Sequence, residues 1–237
     1  MIKLAVNGCY GRMGQRITEL ALREREIKVI ALIESPQRTD VPSELHGIKV
    51  ARDINAVKGA DVVIDFTLPE PTMQCLEACL RHGVRMVIGT TGLSDAQRAA
   101  IRKASEQLAI VQSTNMSVGV NLVFGLLKQM ASSLKGYHVA ITETHHVHKK
   151  DAPSGTAKTM AEAVESGSGV KVTDIASVRE GEVVGYHKVS FDSAVDTIEI
   201  SHNAKTRDMF AEGAVLAAKF VAGKTKGMFN MQEVLGL

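Results

Sequence analysis

Five side chains able to carry positive charge, His145, His146, His148, Lys149 and Lys150, fall within six consecutive positions, and Pro153, Ser154, Gly155 and Thr156 follow soon after. That second group is a helix-start signal. The first turn of a helix presents backbone N–H groups without partners inside the helix, and it carries the positive end of the helix dipole. Imidazole and ammonium groups beside such a turn suit a small anion and add the means to move a proton. The stretch from Glu143 to Ala157 therefore reads as the chemical centre, with a doubly negative small molecule as its ligand. Each part also has an ordinary reading: a basic run as a solvated face, a histidine as a surface residue, Ser-Gly-Thr as a loop leading into a cap. It is their density beside one helix start that favours chemistry.

Elements that could position such a centre are visible on both sides of it. Ile2 to Val6 is a short apolar run that predicts a buried parallel strand, and Gly8, Gly11 and Gly14 follow directly. A helix comes next, with Ile17, Leu20 and Ala21 at helical spacing, and Lys28 to Ile33 predicts a second strand ending at Glu34. In a βαβ unit of this kind the glycines allow a tight turn, a close approach to a pyrophosphate and close packing of helix on strand. Glu34, 20 residues after Gly14, stands where a carboxylate accepts hydrogen bonds from an adenosine ribose. The ordinary alternatives are a plain βα turn and a strand-end surface carboxylate.

Alternation continues with strands at Asp61 to Phe66, Arg85 to Ile88 and Leu108 to Gln112, and helices at Glu70 to His82 and Leu93 to Gln107. Ligands of open α/β sheets gather at the carboxyl ends of strands, so Phe66-Thr67, Gly89 to Thr91 and Thr114 to Met116 are expected to converge on one crevice. Val118 to Leu134 is apolar on nearly every face, which predicts a buried helix. Beyond Gly136 the texture changes. A strand at His138 to Glu143 delivers the cationic cluster, and a helix is expected at Ser154 to Glu165. Alternating segments at Val183 to Phe191 and Thr197 to Ser201 suggest an antiparallel sheet with one polar face, and a helix at Asp208 to Val221 closes the pattern. The fold class is thus α/β: a Rossmann-type parallel sheet domain over residues 1–115 plus 207–237, and a C-terminal α+β domain over 116–206.

Composition narrows the classes of function. The chain has 237 residues, 45% hydrophobic and 23% charged, as expected of a soluble globular protein. A net charge of +2, with 4% aromatic residues and no tryptophan, argues against a nucleic-acid partner. No apolar run suggests a membrane span, and the N-terminus enters a strand without a leader pattern. Cys9, Cys75 and Cys79 are an odd set with no scaffold spacing, so reduced thiols, a cytoplasmic location and no metal site are expected.

The glycine turn, Gly89-Thr90-Thr91-Gly92, the run Asn115 to Asn121 and above all Glu143 to Ala157 resemble dihydrodipicolinate reductases of the diaminopimelate and lysine pathway, over almost the whole chain. That resemblance implies an NAD(P)H-dependent oxidoreductase that reduces 4-hydroxy-tetrahydrodipicolinate and assembles as a homotetramer through the second domain's sheet. It further implies His145 as general acid/base and Lys149 as proton donor, with His146, Gly155 and Thr156 binding substrate carboxylates. Cofactor contacts carried over are Gly8, Cys9, Tyr10, Gly11, Arg12, Met13, Glu34, Gly89, Thr90, Thr91, Ser113, Thr114, Asn115 and Met116. The chain departs from the pattern in having Ser35, rather than arginine, after Glu34, which leans the expectation to NADH over NADPH; Arg38 offers a loop cation for a 2′-phosphate. It is also compact between Ser166 and Lys171, where many relatives are longer. Two rival readings are another two-domain dehydrogenase acting on free amino acids and an NADH-binding redox sensor. The sensor gives no reason for several proton carriers beside Gly155 and Thr156.

Overall fold

The computed structural model describes residues 1–237. In chain order the elements are β1 (Ile2–Asn7), α1 (Arg12–Arg23), β2 (Ile27–Ile33), β3 (Glu44–Leu45), β4 (Ile48–Ala51), β5 (Val62–Asp65), α2 (Pro69–His82), β6 (Arg85–Ile88), α3 (Asp95–Ala104) and β7 (Ala109–Gln112). They continue with α4 (Val118–Ser133), β8 (His138–His145), α5 (Gly155–Ser168), β9 (Asp174–Arg179), β10 (Gly185–Asp192), β11 (Thr197–Ala204), α6 (Asp208–Ala222), β12 (Gly227–Phe229) and α7 (Met231–Leu235). The chain divides into one unit of Met1–Ser117 with Phe210–Gly236, and a second of Val118–Met209 with Leu237.

The first unit is a sheet in the order β12-β7-β6-β5-β1-β2-β4-β3, parallel except where β3 pairs with β4. Successive strand residues point to opposite faces, and the strands are apolar on both. Leu4, Val6, Val62, Ile64 and Val87 join a core with Ile17 and Ala21 of α1 and Ala214, Ala218 and Val221 of α6. Ala5, Val63, Met86 and Ile88 join another with Cys75, Leu76 and Cys79 of α2 and Ile101 of α3. Helices on both faces follow from that pattern, and each fully buried Leu, Ile or Val contributes about 1.5–3 kcal/mol. Gly14 lets α1 close on the turn, since a Cβ there would meet the Gly8 carbonyl oxygen at 2.0 Å.

The second unit is a four-stranded sheet in the order β11-β10-β8-β9. Val120, Phe124 and Leu127 of α4 and Ala157, Met160 and Val164 of α5 pack on Ile141, Val189 and Phe191. The two helices approach closely at Gly167, where a Cβ would stand 2.1 Å from the Lys128 carbonyl oxygen.

Two expectations are corrected here. The second sheet is mixed: β10 runs antiparallel to β8 and β11, whereas β9 pairs parallel with β8. Most of β9 is exposed, so it lacks the alternation that marks a half-buried strand. Nor is α4 buried all round. Val118, Leu122 and Leu126 form a stripe 39%, 44% and 39% exposed, and hydrophobicity alone does not say which apolar face a helix buries.

Candidate functional site

The chemical centre is built at the carboxyl end of β8. Glu143 and His145 are two apart and share one face of the strand, both buried. The Glu143 carboxylate hydrogen-bonds His145 Nδ1 and accepts from both terminal nitrogens of Arg179, at 3.0 Å each, from the neighbouring β9. Arg179 also donates to the carbonyls of Asp151 at 2.6 Å and Lys149 at 3.3 Å, so one guanidinium ties the basic loop to the strand. Burial by itself raises the Glu143 pKa, but Arg179, Ser177 and His145 outweigh it and hold the carboxyl at about 2. His145 is the opposite case: burial lowers its pKa below 6.5, and Glu143 offsets only part of that.

The start of α5 lies against the same pair. Ser154 caps the helix, its hydroxyl accepting from the Ala157 N–H at 3.2 Å, while its own N–H donates to Glu143 Oε1 at 3.3 Å. The Ser154 hydroxyl is also 3.1 Å from His187 Nε2. His187 Nδ1, on the other side of the ring, is a buried atom with no partner. The His187 ring meets the His145 ring edge-on at 5.0 Å, and its pKa falls to about 4, through burial first and neighbouring His145 second. With Nδ1 of His145 engaged, Nε2 is the nitrogen left for chemistry; a Cβ on Gly185 would sit 3.1 Å from it. At this position only glycine leaves the atom uncrowded.

The remaining predicted residues of this unit fall around that pair. Lys149 Nζ donates to Asp151 at 2.8 Å, so Asp151 orients the lysine and Ser154 is the cap. Gly155 opens α5 with free space at its Cβ direction, and Thr156 follows it in the first turn. His146 is half-buried, its N–H donating to the Val183 carbonyl and its Nδ1 unpartnered. His148 is 75% exposed at its side chain, with a 3.6 Å contact to Glu182 and its ring 6.1 Å from that of His146, and Lys150 is exposed.

In the first unit a cavity of about 800 Å³ is lined by Asn7, Gly8, Gly11, Glu34, Arg38 and Arg52 among others. Gly8 has φ +74°, and Gly11, at the N-cap of α1, places no side-chain hydrogen bond on the first turn. Such a cradle, with backbone N–H groups and no Cβ at Gly8 and Gly11, fits a dinucleotide pyrophosphate. Glu34 is buried at the cavity wall and accepts from the backbone N–H groups of Tyr10 and Ser35, both at 2.9 Å. Arg38 pairs with Asp40 at 2.8 Å, and Arg52 donates to the carbonyls of Ser35, Arg38 and Val41. Arg12 is exposed and Met13 half-buried in the first turn of α1. Cys9 points the other way: its side chain is fully buried, and burial followed by the nearby Glu34 charge pushes its thiol up to about 12. Gly89 packs against Phe66, Thr90 is buried and Thr91 exposed. Ser113 donates to the Asn115 carbonyl at 2.7 Å, Thr114 is exposed, and Met116 is buried under Gly213.

Sequence reasoning assigned no role to Glu143, Arg179, His187 or Gly185. For Glu143 a signal existed, since a carboxylate two residues before a histidine on a strand shares its face. For the other three none did, because their partners lie 28 to 42 positions away in the chain.

The chain matches the family model described as dihydrodipicolinate reductase, N-terminus, over residues 2–116, and the one described as dihydrodipicolinate reductase, C-terminus, over residues 119–235. A 4-hydroxy-tetrahydrodipicolinate reductase of Burkholderia thailandensis is 40% identical, covering 100% of this chain and 98% of the relative. Another, of Laribacter hongkongensis, is 42% identical with the same coverage. Among solved structures, the dipicolinate-bound dihydrodipicolinate reductase of Paenisporosarcina sp. TG-14 shares the fold with a TM-score of 0.85 at 23% identity, over 98% of both chains. An amine dehydrogenase of Mycobacterium smegmatis shares it at 0.68 and 10% identity, over 97% of this chain and 95% of that one.

Proposed function

This chain belongs to the dihydrodipicolinate reductase family and is an NAD(P)H-dependent oxidoreductase, and from that premise we propose that it reduces 4-hydroxy-tetrahydrodipicolinate to tetrahydrodipicolinate in diaminopimelate and lysine biosynthesis. The observation that carries this reading is the buried Glu143–His145 pair set against the start of α5, where a proton carrier and an anion-binding helix terminus meet.

The substrate is a cyclic dicarboxylate whose loss of water leaves a conjugated imine. Bound NAD(P)H supplies the hydride to that system. The chain's own residues hold the substrate and manage the proton. Gly155, Thr156 and His146 receive the carboxylates, using first-turn N–H groups and the helix dipole. His145, its Nδ1 turned to Glu143, works through Nε2 as general acid/base, and Lys149, oriented by Asp151, delivers a proton.

Residues 1–115 with 207–237 hold the dinucleotide, and residues 116–206 hold the substrate and the assembly surface of a homotetramer in the cytoplasm. Gly8, Gly11 and the first turn of α1, including Arg12 and Met13, take the pyrophosphate; Tyr10 shapes the turn through Glu34. Glu34 takes the adenosine ribose, and Gly89 to Thr91 and Ser113 to Met116 complete the site. Ser35 after Glu34 and the engagement of Arg38 with Asp40 support a preference for NADH, with NADPH also used.

The test is oxidation of NADH and of NADPH by purified protein, with substrate generated in situ by dihydrodipicolinate synthase from pyruvate and aspartate semialdehyde. Synthase-dependent oxidation, faster with NADH, is the expected result. Absence of oxidation with either nucleotide, beside a working control enzyme, would overturn the assignment.

A further inference from the structure

Asp65, the last residue of β5, is a fully buried carboxylate that the proposed chemistry does not use. Its Oδ2 accepts from the Asn7 side-chain amide at 2.6 Å. Its Oδ1 lies within reach of the Thr67 N–H at 3.1 Å and of the hydroxyls of Thr67, Thr72 and Thr90 at 2.7, 2.9 and 3.0 Å. Every one of these partners is neutral. Removing a carboxylate from water is costly unless its lone pairs are satisfied, and here they are satisfied by donors alone.

The donors come from different segments. Asn7 ends β1, Thr67 follows β5, Thr72 is in α2 and Thr90 follows β6, so one acceptor joins the carboxyl ends of three neighbouring strands. Asn7 and Thr67 line the 800 Å³ cavity beside Gly8, Gly11 and Glu34. The surroundings leave little slack. A Cβ on Gly8 would meet Thr67 Cγ2 at 2.6 Å, and one on Gly89 would fall within 2.1 Å of the Phe66 ring. A shift of Thr67 or Thr90 is therefore passed to the glycine turn and to the Phe66–Gly89 contact.

We infer that Asp65 is a positioning residue for the dinucleotide: as an acceptor-only hub it sets the mutual geometry of the glycine turn and of the loops after β5 and β6. The inference rests on the reading of this cavity as the NAD(P)H site. Asparagine at position 65 keeps an acceptor oxygen for the threonines and turns an NH₂ group toward Asn7 with almost no change in volume, so the Asn7 amide, which lines the cavity, must turn over to accept it. The reciprocal exchange Asn7→Asp with Asp65→Asn restores the pairing, because the new amide donates to the new carboxylate and keeps its carbonyl oxygen for the threonines.

The experiment measures the NADH dissociation constant by fluorescence, dipicolinate binding by calorimetry and the thermal midpoint, for the wild type, Asp65→Asn, the reciprocal double variant and Thr90→Val. Well below the midpoint, Asp65→Asn should weaken NADH about tenfold or more while dipicolinate binding is kept, and the exchange should recover NADH affinity. Thr90→Val, which removes one donor and keeps the carboxylate, should weaken NADH in the same direction should Asp65→Asn fail to fold. A folded Asp65→Asn or Thr90→Val protein with wild-type NADH affinity overturns the inference. So does an exchange that recovers the midpoint and not the affinity. If the wild type itself does not bind NADH, the nucleotide reading fails and the inference fails with it; the variant outcomes separate the two.

Discussion

The Glu143 carboxylate is buried beneath His145 and holds its Nδ1 from two residues away on the same strand, with Arg179 bound to both carboxylate oxygens. The pair fixes a tautomer. With Glu143 ionised down to about pH 2, His145 keeps a proton on Nδ1 and presents Nε2 for chemistry. His145→Gln should therefore lower kcat by about 10²-fold or more with NADH affinity unchanged, as expected for loss of a general acid/base. Glu143→Gln, which keeps the shape and removes the charge, should lower kcat in the same direction and shift the pH profile. Unchanged turnover in His145→Gln would remove it from the chemistry.

Lys149 and Asp151 form a partly exposed pair at 2.8 Å, 21% and 57% exposed at the side chains. A pair of this kind stabilises the fold little, and on the proposed mechanism it aims the ammonium group. Lys149→Met should damage both KM and kcat; an effect on KM alone would reduce the lysine to an anchor. Asp151→Asn should give a milder loss of the same kind, measured by steady-state kinetics at saturating NADH.

Glu34 accepts from the N–H groups of Tyr10 and Ser35, so it supports the glycine turn as well as facing the cavity. On the proposed reading, in which Glu34 accepts from the ribose diol, Glu34→Gln should weaken NADH more than NADPH, whose diol is blocked by the 2′-phosphate. Equal losses, read by titration with each nucleotide, would leave Glu34 a purely structural role.

His187 supplies a pH dependence of stability. Its pKa is depressed from 6.5 to about 4, so the folded protein holds the ring neutral where the unfolded chain takes up a proton. That contribution is complete above pH 6.5 and is lost as pH falls toward 4, up to about 3 kcal/mol. His145 and His202, also lowered chiefly by burial, act in the same sense. Urea unfolding at pH 7.5 and at pH 4.5 should show the loss, and His187→Gln should reduce the difference. An equal difference in the variant would assign the dependence to other groups.

Read from the chain alone, the parallel strands, the glycine turn and the cationic cluster before a helix are legible, because each depends on local rules. Two faces of apolar side chains make a covered parallel strand, glycine permits φ +74° at Gly8, and a serine at the start of α5 makes a cap. Local rules also mark the cluster from His145 to Lys150 as able to carry charge and protons, and the family resemblance singles out His145 and Lys149 within it. They do not say which nitrogen of His145 is available, or which of these groups are buried and which exposed. Those facts come from β9 running parallel beside β8, which carries Arg179 to Glu143, and from β10, which sets Gly185 and His187 against His145. Asp65 is the same lesson in the first unit: its partners at 7, 67, 72 and 90 meet only because β1, β5 and β6 are neighbours in the sheet. The sequence by itself determined the parallel strands, the glycine turn and the cationic cluster before α5, since residue type and local spacing suffice for those; tertiary structure decided that Arg179, His187 and Gly185 join that cluster and how each group is buried, charged and aimed, because those properties depend on neighbours from distant parts of the chain.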